Sequence, residues 1–208
     1  MRYADHHKDE THKALLKAAA TVLREKGPDR LGVAEVMRAA GLTHGGFYAH
    51  FKSKEALLTE TLAVIFAKSK RRVHRMVEGL PPRHALATYI DFYVGQAHRD
   101  DAANGCPITA LNSDMPRQPK KFRAAFEAGV RSLSDTLAGW MREAGIADAE
   151  RLAPPILAAM AGAVSLSRTI SDRELSDELL ASTRTGIKAR LGLTDLNLAG
   201  EIRLVSSQ

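Results

Sequence analysis

A dense group of hydrogen-bonding and basic side chains begins at Thr43, about one fifth of the way along the chain. Just before it, residues 33–40 place apolar side chains at i, i+3, i+4 and i+7, which predicts a short helix with one buried face. Gly41 ends that helix, and the Thr43 hydroxyl is placed to cap a second one. Phe47 and Phe51, one turn apart, then point inward and leave the polar groups outside. Two helices joined by a glycine-containing turn predict a helix-turn-helix, whose second helix enters the DNA major groove.

Catalytic chemistry has little support in the sequence. There is no nucleophile elbow, phosphate-binding loop or paired-carboxylate motif. One cysteine and scattered histidines could still form a nucleophile–base pair, so a small helical enzyme is an alternative, as is a dimeric binding module with degenerate DNA reading. His6, His7 and His12 lack the spacing of metal ligands, so we expect neither a metal site nor a cofactor.

Charge favours an anionic partner. The chain of 208 residues has a net charge of +6 and a pI near 9.6, with 45% apolar and 26% charged residues. Residues 1–55 hold ten Lys or Arg against seven Asp or Glu, together with five of the eight histidines. Residues 68–75, KSKRRVHR, add five basic residues without an acid. That run is either a solvated helix face or a flank that faces DNA.

Helical patterns lie on both sides of the predicted helix-turn-helix. A helix from Asp9 is ended by Gly27-Pro28, with residues 1–8 frayed. Ser53 is placed to cap a helix that runs to about Glu78. Further helices are predicted at 82–98, 106–115, 122–145, 154–170 and 175–191, followed by a tail from Gly192 without a clear period. No strand pattern or internal repeat accompanies them, so the predicted fold class is all-α.

Cellular location is predicted from what the sequence lacks. No apolar run is long enough for a signal peptide or a membrane span. Cys106 is the only cysteine, so an intrachain disulfide is impossible and a reducing cytoplasm is the expected setting. The last two long helices are rich in small residues. They either pack against a second copy as a four-helix interface or are buried within their own chain.

The segment AAGLTHGGFYAHFKSKEALL (39–58) resembles the signature of the TetR family of bacterial one-component regulators. The resemblance implies an all-α protein with an N-terminal three-helix DNA-binding domain at 1–52 and a C-terminal effector-binding and dimerisation domain at 53–208. It also implies a homodimer on a palindromic double-stranded DNA operator. Most members of the family are repressors that a small molecule releases from DNA.

Carried over to this chain, the resemblance implies phosphate contacts by Thr43, Tyr48 and His50, and base-edge contacts by His44 and Gly45. Helix N-termini, hydroxyls and ammonium groups suit phosphate oxygens. The chain departs from the family pattern where Leu31-Gly32 replaces a common hydroxyl pair, and Arg30 is the candidate substitute. The full set of candidate DNA-binding residues is Arg30, Thr43, His44, Gly45, Gly46, Tyr48, His50, Lys52 and Lys54.

The adjacent glycines leave few side chains for base reading. They cost about 1 kcal/mol each in helix stability relative to alanine. They either allow the backbone to approach DNA closely or merely shorten the helix. Specificity then depends on His44 and on DNA shape.

A small-molecule effector is expected in the C-terminal region, where aromatic and sulfur-containing side chains could line an apolar cavity or simply form core. These candidates are Tyr89, Phe92, Tyr93, Cys106, Phe126, Trp140 and Met160. Cys106, between Gly105 and Pro107, is either a thiol sensor of electrophiles and oxidants or a small buried residue at a helix start. Arg168 could pair across a dimer, meet an anionic effector or be surface-exposed.

Overall fold

The structure is a computed structural model that describes residues 2–194 and 196, apart from the side chains of residues 2–5, 7 and 44. Over these residues the chain is helical and has no strand, which confirms the predicted all-α class. The α-helices are α1 (Arg2–Arg30), α2 (Val33–Ala39), α3 (Lys54–Val77), α4 (Pro82–Tyr93), α5 (Gln96–Asp100), α6 (Pro107–Leu111), α7 (Lys120–Glu143), α8 (Ala149–Ser167) and α9 (Arg173–Arg190). Three 3₁₀ helices lie at His44–Ala49, Ala102–Asn104 and Met115–Arg117.

The chain forms two compact units. One comprises the chain up to Ser69 with Ala102–Val130, and the other comprises Lys70–Asp101 with the chain from Arg131 onward. The predicted domain boundary at 52/53 remains a prediction. None of the helices within the described part of the chain is long and apolar enough to cross a membrane.

The first unit encloses the helix-turn-helix. Its core includes fully buried Leu15 and Leu23 of α1, Met37 of α2 and Leu57 of α3. Gly27 interrupts α1 with φ of 78°, a left-handed conformation that costs glycine little, so the helix changes direction where Gly27-Pro28 predicts an end. The predicted Ser53 cap is confirmed, because its Oγ accepts a hydrogen bond from Ala56 N at 3.1 Å.

Several predicted helix limits differ from the structure. α1 begins at Arg2 rather than after a frayed segment at 1–8. The predicted helix from Pro82 to His98 is divided, because Val94 ends α4 and α5 begins only at Gln96. α8 begins at Ala149 rather than at Pro154 and Pro155, which lie inside it.

The second unit packs α4, α5, α8 and α9 around buried Leu86, Ile90, Met160 and Leu180. α9 begins with a capping interaction, since the Asp172 carboxylate accepts from the backbone N–H groups of Glu174 and Leu175 in its first turn. Gly192 with φ of 63° ends it, as predicted. Beyond residue 194, the predicted tail lies outside the described residues except for residue 196.

Candidate DNA-binding site

A small aromatic core fixes the helix-turn-helix. Phe47 and Phe51 are each 3% exposed, and their ring centroids lie 5.7 Å apart. Met37 and Val36 of α2 are buried as well, and the turn closes when Leu42 N donates to Met37 O at 2.9 Å. The predicted inward positions are confirmed, and the outward positions are thereby left for contact with a partner.

The second element is a 3₁₀ helix, His44–Ala49, which we call the recognition helix. Thr43 occupies its N-cap position, but its side chain caps no backbone N–H, contrary to the prediction. Two adjacent glycines in a six-residue element weaken the α-helical alternative, which explains the tighter form. Thr43 is exposed, and its hydroxyl makes no capping hydrogen bond. The hydroxyl is therefore available to donate or accept a hydrogen bond with a partner molecule.

Tyr48 is the exposed aromatic side chain of the candidate site. It is 75% exposed, and its ring stands edge-on to Phe47 at 5.3 Å between centroids. An aromatic ring exposed to water gives up the free energy that burial would provide, so the exposure does not stabilise the fold. The tyrosine hydroxyl, however, is a good hydrogen-bond donor to a phosphate oxygen. The buried Phe47 thus supports a tyrosine that faces outward.

Both glycines of the recognition helix have ordinary backbone conformations. Neither Gly45 nor Gly46 has a positive φ. A Cβ added at Gly45 would meet no atom within 4 Å, and one at Gly46 would meet only Met37 Cε at 3.6 Å. Since the free protein could accommodate alanine at both positions, the fold does not demand glycine at either.

His50 closes the recognition helix beside a histidine that sequence reasoning did not place in the site. The His12 ring of α1 lies 6.0 Å from His50 and stacks on Phe51 at 4.7 Å, while its Nε2 is 2.5 Å from the Glu60 carboxylate. Burial lowers the pKa of His50, and His12 and Lys8 lower it further. His50 is therefore mainly neutral at pH 7 in the free protein.

The basic candidates differ in how exposed they are. Arg30 and Lys52 are exposed. Lys54 is half-buried, and its Nζ donates to the carbonyl of Asp29 at 3.3 Å. The side chain of His44, the predicted base-reading group, lies outside the described residues.

A segment distant in sequence contacts the end of α1. Arg24 Nε donates to Ala103 O at 2.8 Å, and Gln118 Nε2 donates to Asp29 Oδ1 at 2.9 Å. We call the segment 103–118 the brace. Sequence reasoning missed it, because the two hydrogen bonds join residues 79 and 89 positions apart and no local pattern marks them.

Four of the predicted effector residues form an aromatic cluster in the second unit. Tyr89 lies 5.7 Å from Tyr93 and 5.0 Å from Trp140, both measured between ring centroids. Phe92 stacks on His98 at 5.8 Å, and His98 also contacts Tyr93. Tyr89, Tyr93 and Trp140 are buried, so they serve as core in this conformation.

Two open grooves border this cluster. Phe92 lines the larger groove, of about 1170 Å³, together with residues of α9 that include Arg173 and Arg184. Trp140 lines the smaller one, of about 360 Å³, with His74 and Glu78. Met160, the remaining candidate in this unit, is fully buried.

The other two effector candidates belong to the first unit. Phe126 packs edge-on against Phe66 at 5.8 Å. Cys106 is 4% exposed and is the N-cap residue of α6 within the brace. Its carbonyl accepts from the Thr109 hydroxyl at 2.9 Å.

Two of the basic candidates make contacts within the second unit. Arg168 is half-buried and donates to the carbonyls of His98 and Arg99, both at 2.9 Å. From the run 68–75, the Arg72 guanidinium lies 5.1 Å from the centre of the Phe92 ring. Among the described residues, no group of three His, Cys, Asp or Glu side chains is arranged to hold a metal ion.

The chain spans less than two thirds of the length of the curated relatives that it matches. The regulator AcuR of Cereibacter sphaeroides is 28% identical over 137 residues, which cover 64% of this chain and 62% of AcuR. The repressor NemR of Escherichia coli is 22% identical over 130 residues, covering 62% of this chain and 65% of NemR.

Solved structures share the fold. The reduced form of E. coli NemR has a TM-score of 0.74 at 20% identity, covering 86% of this chain and 96% of the other. A TetR-family regulator from Cytophaga hutchinsonii has a TM-score of 0.75 at 19% identity, with coverage of 88% and 96%. At such identities the likeness is one of fold.

Two family models match separate parts of the chain. Residues 15–61, which contain the helix-turn-helix, match the model described as bacterial regulatory proteins, tetR family. Residues 82–177 match the C-terminal domain of LmrA/YxaF-like transcriptional regulators. The chain belongs to the TetR family of bacterial regulatory proteins.

Proposed function

We propose that the protein is a homodimeric transcriptional repressor that binds a two-fold-related DNA operator and is released by a small molecule. The observation that carries the DNA-binding part is the exposure of Tyr48, at 75%, on a recognition helix anchored by buried Phe47 and Phe51. A surface that directs a phenol outward, with exposed Thr43 beside it, suits phosphate contacts along the major groove.

Base reading on this surface is sparse. The two glycines offer no side chain to base edges, so direct readout is left to His44 and to the backbone of the recognition helix. Phosphate contacts fix the register of the protein, while the groove width and flexibility of the DNA supply further discrimination. We therefore expect an operator whose central base pairs influence affinity through DNA shape.

Homodimerisation is supported by an exposed face of α8 and α9. Leu166 of α8 is 54% exposed and Leu175 of α9 is 52% exposed, both unusually high for leucine. Added Cβ atoms at Gly162 and Gly186 would meet nothing within 4 Å, so both positions open to solvent. α8 and α9 pack on each other, and a second copy of the pair would cover this face as a four-helix interface. A palindromic operator requires such a two-fold arrangement.

The effector is proposed to bind in the second unit, near the aromatic cluster of Tyr89, Phe92, Tyr93 and Trp140. Both grooves adjoin members of this cluster, and apolar rings with a few polar groups at the rim are typical of small-molecule sites. The larger groove carries charges of both signs, including Arg173, Arg184 and Glu178. Its lining favours an effector with both an apolar and a charged part.

A second candidate mechanism is release through the thiol of Cys106. The observation that favours it is the position of Cys106 in the brace, whose Ala103 and Gln118 are hydrogen-bonded to α1. A bulky adduct on a thiol that is 4% exposed would have to displace its surroundings. If electrophiles release operator from the unchanged protein, Cys106→Ser should abolish that response, and a full response in the variant would remove the thiol mechanism.

A binding selection tests the proposal as a whole. The unchanged protein is incubated with a randomised pool of duplexes at physiological salt, and the bound DNA is sequenced. We expect enrichment of one palindrome. Recovery of sequences without any shared pattern would contradict a specific regulator.

Two variants then separate the roles of the side chains. Tyr48→Phe should weaken binding to all sequences alike, because it removes a phosphate contact. His44→Ala should relax preference at one position in each half-site. Identical selection profiles for both variants would show that these assignments are wrong.

A further inference from the structure

Two buried polar side chains outside the candidate DNA-binding surface, Arg24 of α1 and Gln118 of the brace, hydrogen-bond the end of α1 to the brace. Arg24 and Gln118 are each only 8% exposed. Arg24 bonds to the carbonyl of Ala103, and Gln118 bonds to the carboxylate of Asp29. Between these two points Gly27 lies against the brace, since an added Cβ there would be 3.1 Å from Asp114 Oδ2. The brace therefore lies against residues 24–29 at three successive positions, Arg24, Gly27 and Asp29.

The stretch leads directly to a candidate phosphate contact. After the change of direction at Gly27, the chain passes Asp29 and exposed Arg30 before α2 begins at Val33. The N-cap residue of α2 is Gly32, which has no side chain to cap the helix. Since no side chain caps α2, contacts from other elements help to define the path of residues 28–32.

Asp29 receives two such contacts. Its carboxylate accepts from Gln118 Nε2 at 2.9 Å, and its carbonyl accepts from Lys54 Nζ at 3.3 Å. Asp29 is exposed, so water could satisfy its carboxylate without Gln118. A hydrogen bond from a buried amide to a charged carboxylate contributes to stability. This one also fixes the geometry of the backbone next to Arg30.

We infer that Gln118 is a positioning residue for DNA binding, which acts through Asp29 to place Arg30 against a phosphate. The inference rests on the proposed function, because it assigns Arg30 to the operator contact. It adds a residue 88 positions away along the chain that touches no DNA. The role is distinct from that of Tyr48 and His44, which are proposed to contact DNA themselves.

Salt dependence of DNA binding measures this role. The slope of log affinity against log salt changes by about 0.9 for each phosphate that the protein no longer neutralises. In a symmetric dimer, Gln118→Ala should reduce the slope by about 2, the same change as Arg30→Ala. Combining both substitutions should produce no further change in slope, because both disrupt the same Arg30–phosphate interaction. Additive slopes in the double variant, or an unchanged slope in Gln118→Ala, would overturn the inference.

Two variants at Asp29 distinguish loss of the hydrogen bond from Gln118 from loss of the negative charge of Asp29. Asp29→Asn and Asp29→Ala both remove the negative charge, but only asparagine keeps an oxygen that can accept from Gln118. Asp29→Asn should therefore keep the salt slope of the unchanged protein, whereas Asp29→Ala should reduce it as Arg30→Ala does. Equal slopes for the two variants would contradict the inference. Asn112→Ala, an exposed amide in the same segment, serves as the control and should bind as the unchanged protein does.

Titration with two DNA duplexes, together with hydrogen exchange, distinguishes failure of the positioning role of Gln118 from failure of the proposed function. Titrations use the selected palindrome and a duplex of scrambled sequence, since phosphate contacts form on both. Hydrogen exchange of the amides of residues 29–36 in the free dimer should be faster in Gln118→Ala than in Asn112→Ala. Failure of the unchanged protein to prefer the palindrome would refute specific regulation. Unchanged exchange and unchanged slopes in Gln118→Ala would refute the positioning role alone.

Discussion

His98 should make the stability of the protein fall between pH 7 and pH 5. Its ring is 4% exposed, its Nδ1 is 2.7 Å from the carbonyl of Tyr93, and it stacks on Phe92. Burial is the main reason that its pKa is lowered from 6.5 to about 4, and the charges of Arg168 and Arg72 lower it further. The folded protein therefore contains neutral His98, with Nδ1–H donating to the carbonyl.

The sign of the effect follows from which state takes up the proton first. As the pH falls below 6.5, the unfolded chain protonates this histidine while the folded chain does not. Protonation stabilises the unfolded state, so the contribution of neutral His98 to stability is complete above pH 6.5. It is lost progressively as the pH falls toward 4, and below that both states are protonated and the loss is complete.

The magnitude follows from the difference in pKa. One pH unit of difference corresponds to about 1.4 kcal/mol, so the fall from 6.5 to about 4 is worth about 3 kcal/mol. Roughly 2 kcal/mol of this loss occurs between pH 7 and pH 5, where most carboxylates of the unfolded chain remain ionised.

Urea denaturation followed by circular dichroism at pH 7, 6 and 5 measures the effect. The unchanged protein should lose roughly 2 kcal/mol over this range, and His98→Gln should lose much less, whatever its absolute stability. His6→Gln, which alters a histidine with a side chain 75% exposed, is the control and should retain the full pH dependence. Equal pH dependence in His98→Gln and the unchanged protein would refute the role of His98.

Three further substitutions test other parts of the account. Gly45→Ala should raise the unfolding free energy by about 0.5–1 kcal/mol, because its Cβ meets open space, yet weaken operator binding; unchanged binding would show that close approach to DNA does not require glycine. Gly129→Ala should lower the unfolding free energy by about 1–3 kcal/mol, since its Cβ would lie 2.3 Å from the Phe66 ring, and chemical denaturation showing no loss would contradict this packing. Leu166→Glu should yield monomers in analytical ultracentrifugation while Ala147→Glu, at another exposed site, remains dimeric, and a dimeric Leu166→Glu would contradict the proposed interface.

The helix order and the helix-turn-helix could be predicted because local residues determine them. Gly27-Pro28 changes the chain direction, Ser53 caps α3, and the spacing of Phe47 and Phe51 buries both rings. Each of these signals acts within about one helical turn, so it can be read from sequence alone.

The form of the recognition helix was harder to predict. A threonine before a helical pattern indicates an N-cap, but Thr43 caps no N–H group, and the segment is a 3₁₀ helix. The free-energy difference between the two helix types is small over six residues, and the adjacent glycines reduce it further. Local propensity therefore could not decide between them.

Long-range polar contacts could not be predicted at all. Arg168 could have faced solvent, a partner or an effector, and in the structure it instead donates to carbonyls of α5, 69 and 70 positions away. The pairs Arg24–Ala103 and Asp29–Gln118 are separated even further. The sequence around a polar residue does not indicate which distant carbonyl or carboxylate it will hydrogen-bond to in the folded protein.

Operator affinity as a function of salt, measured by fluorescence anisotropy for the unchanged protein and Tyr48→Phe, shows whether the exposed face of the recognition helix binds DNA. On the selected palindrome the unchanged protein should bind at least about a thousandfold more tightly than on a scrambled duplex. Tyr48→Phe should weaken binding to both duplexes by a similar factor. Equal affinity of the unchanged protein for the two duplexes at physiological salt would contradict the account.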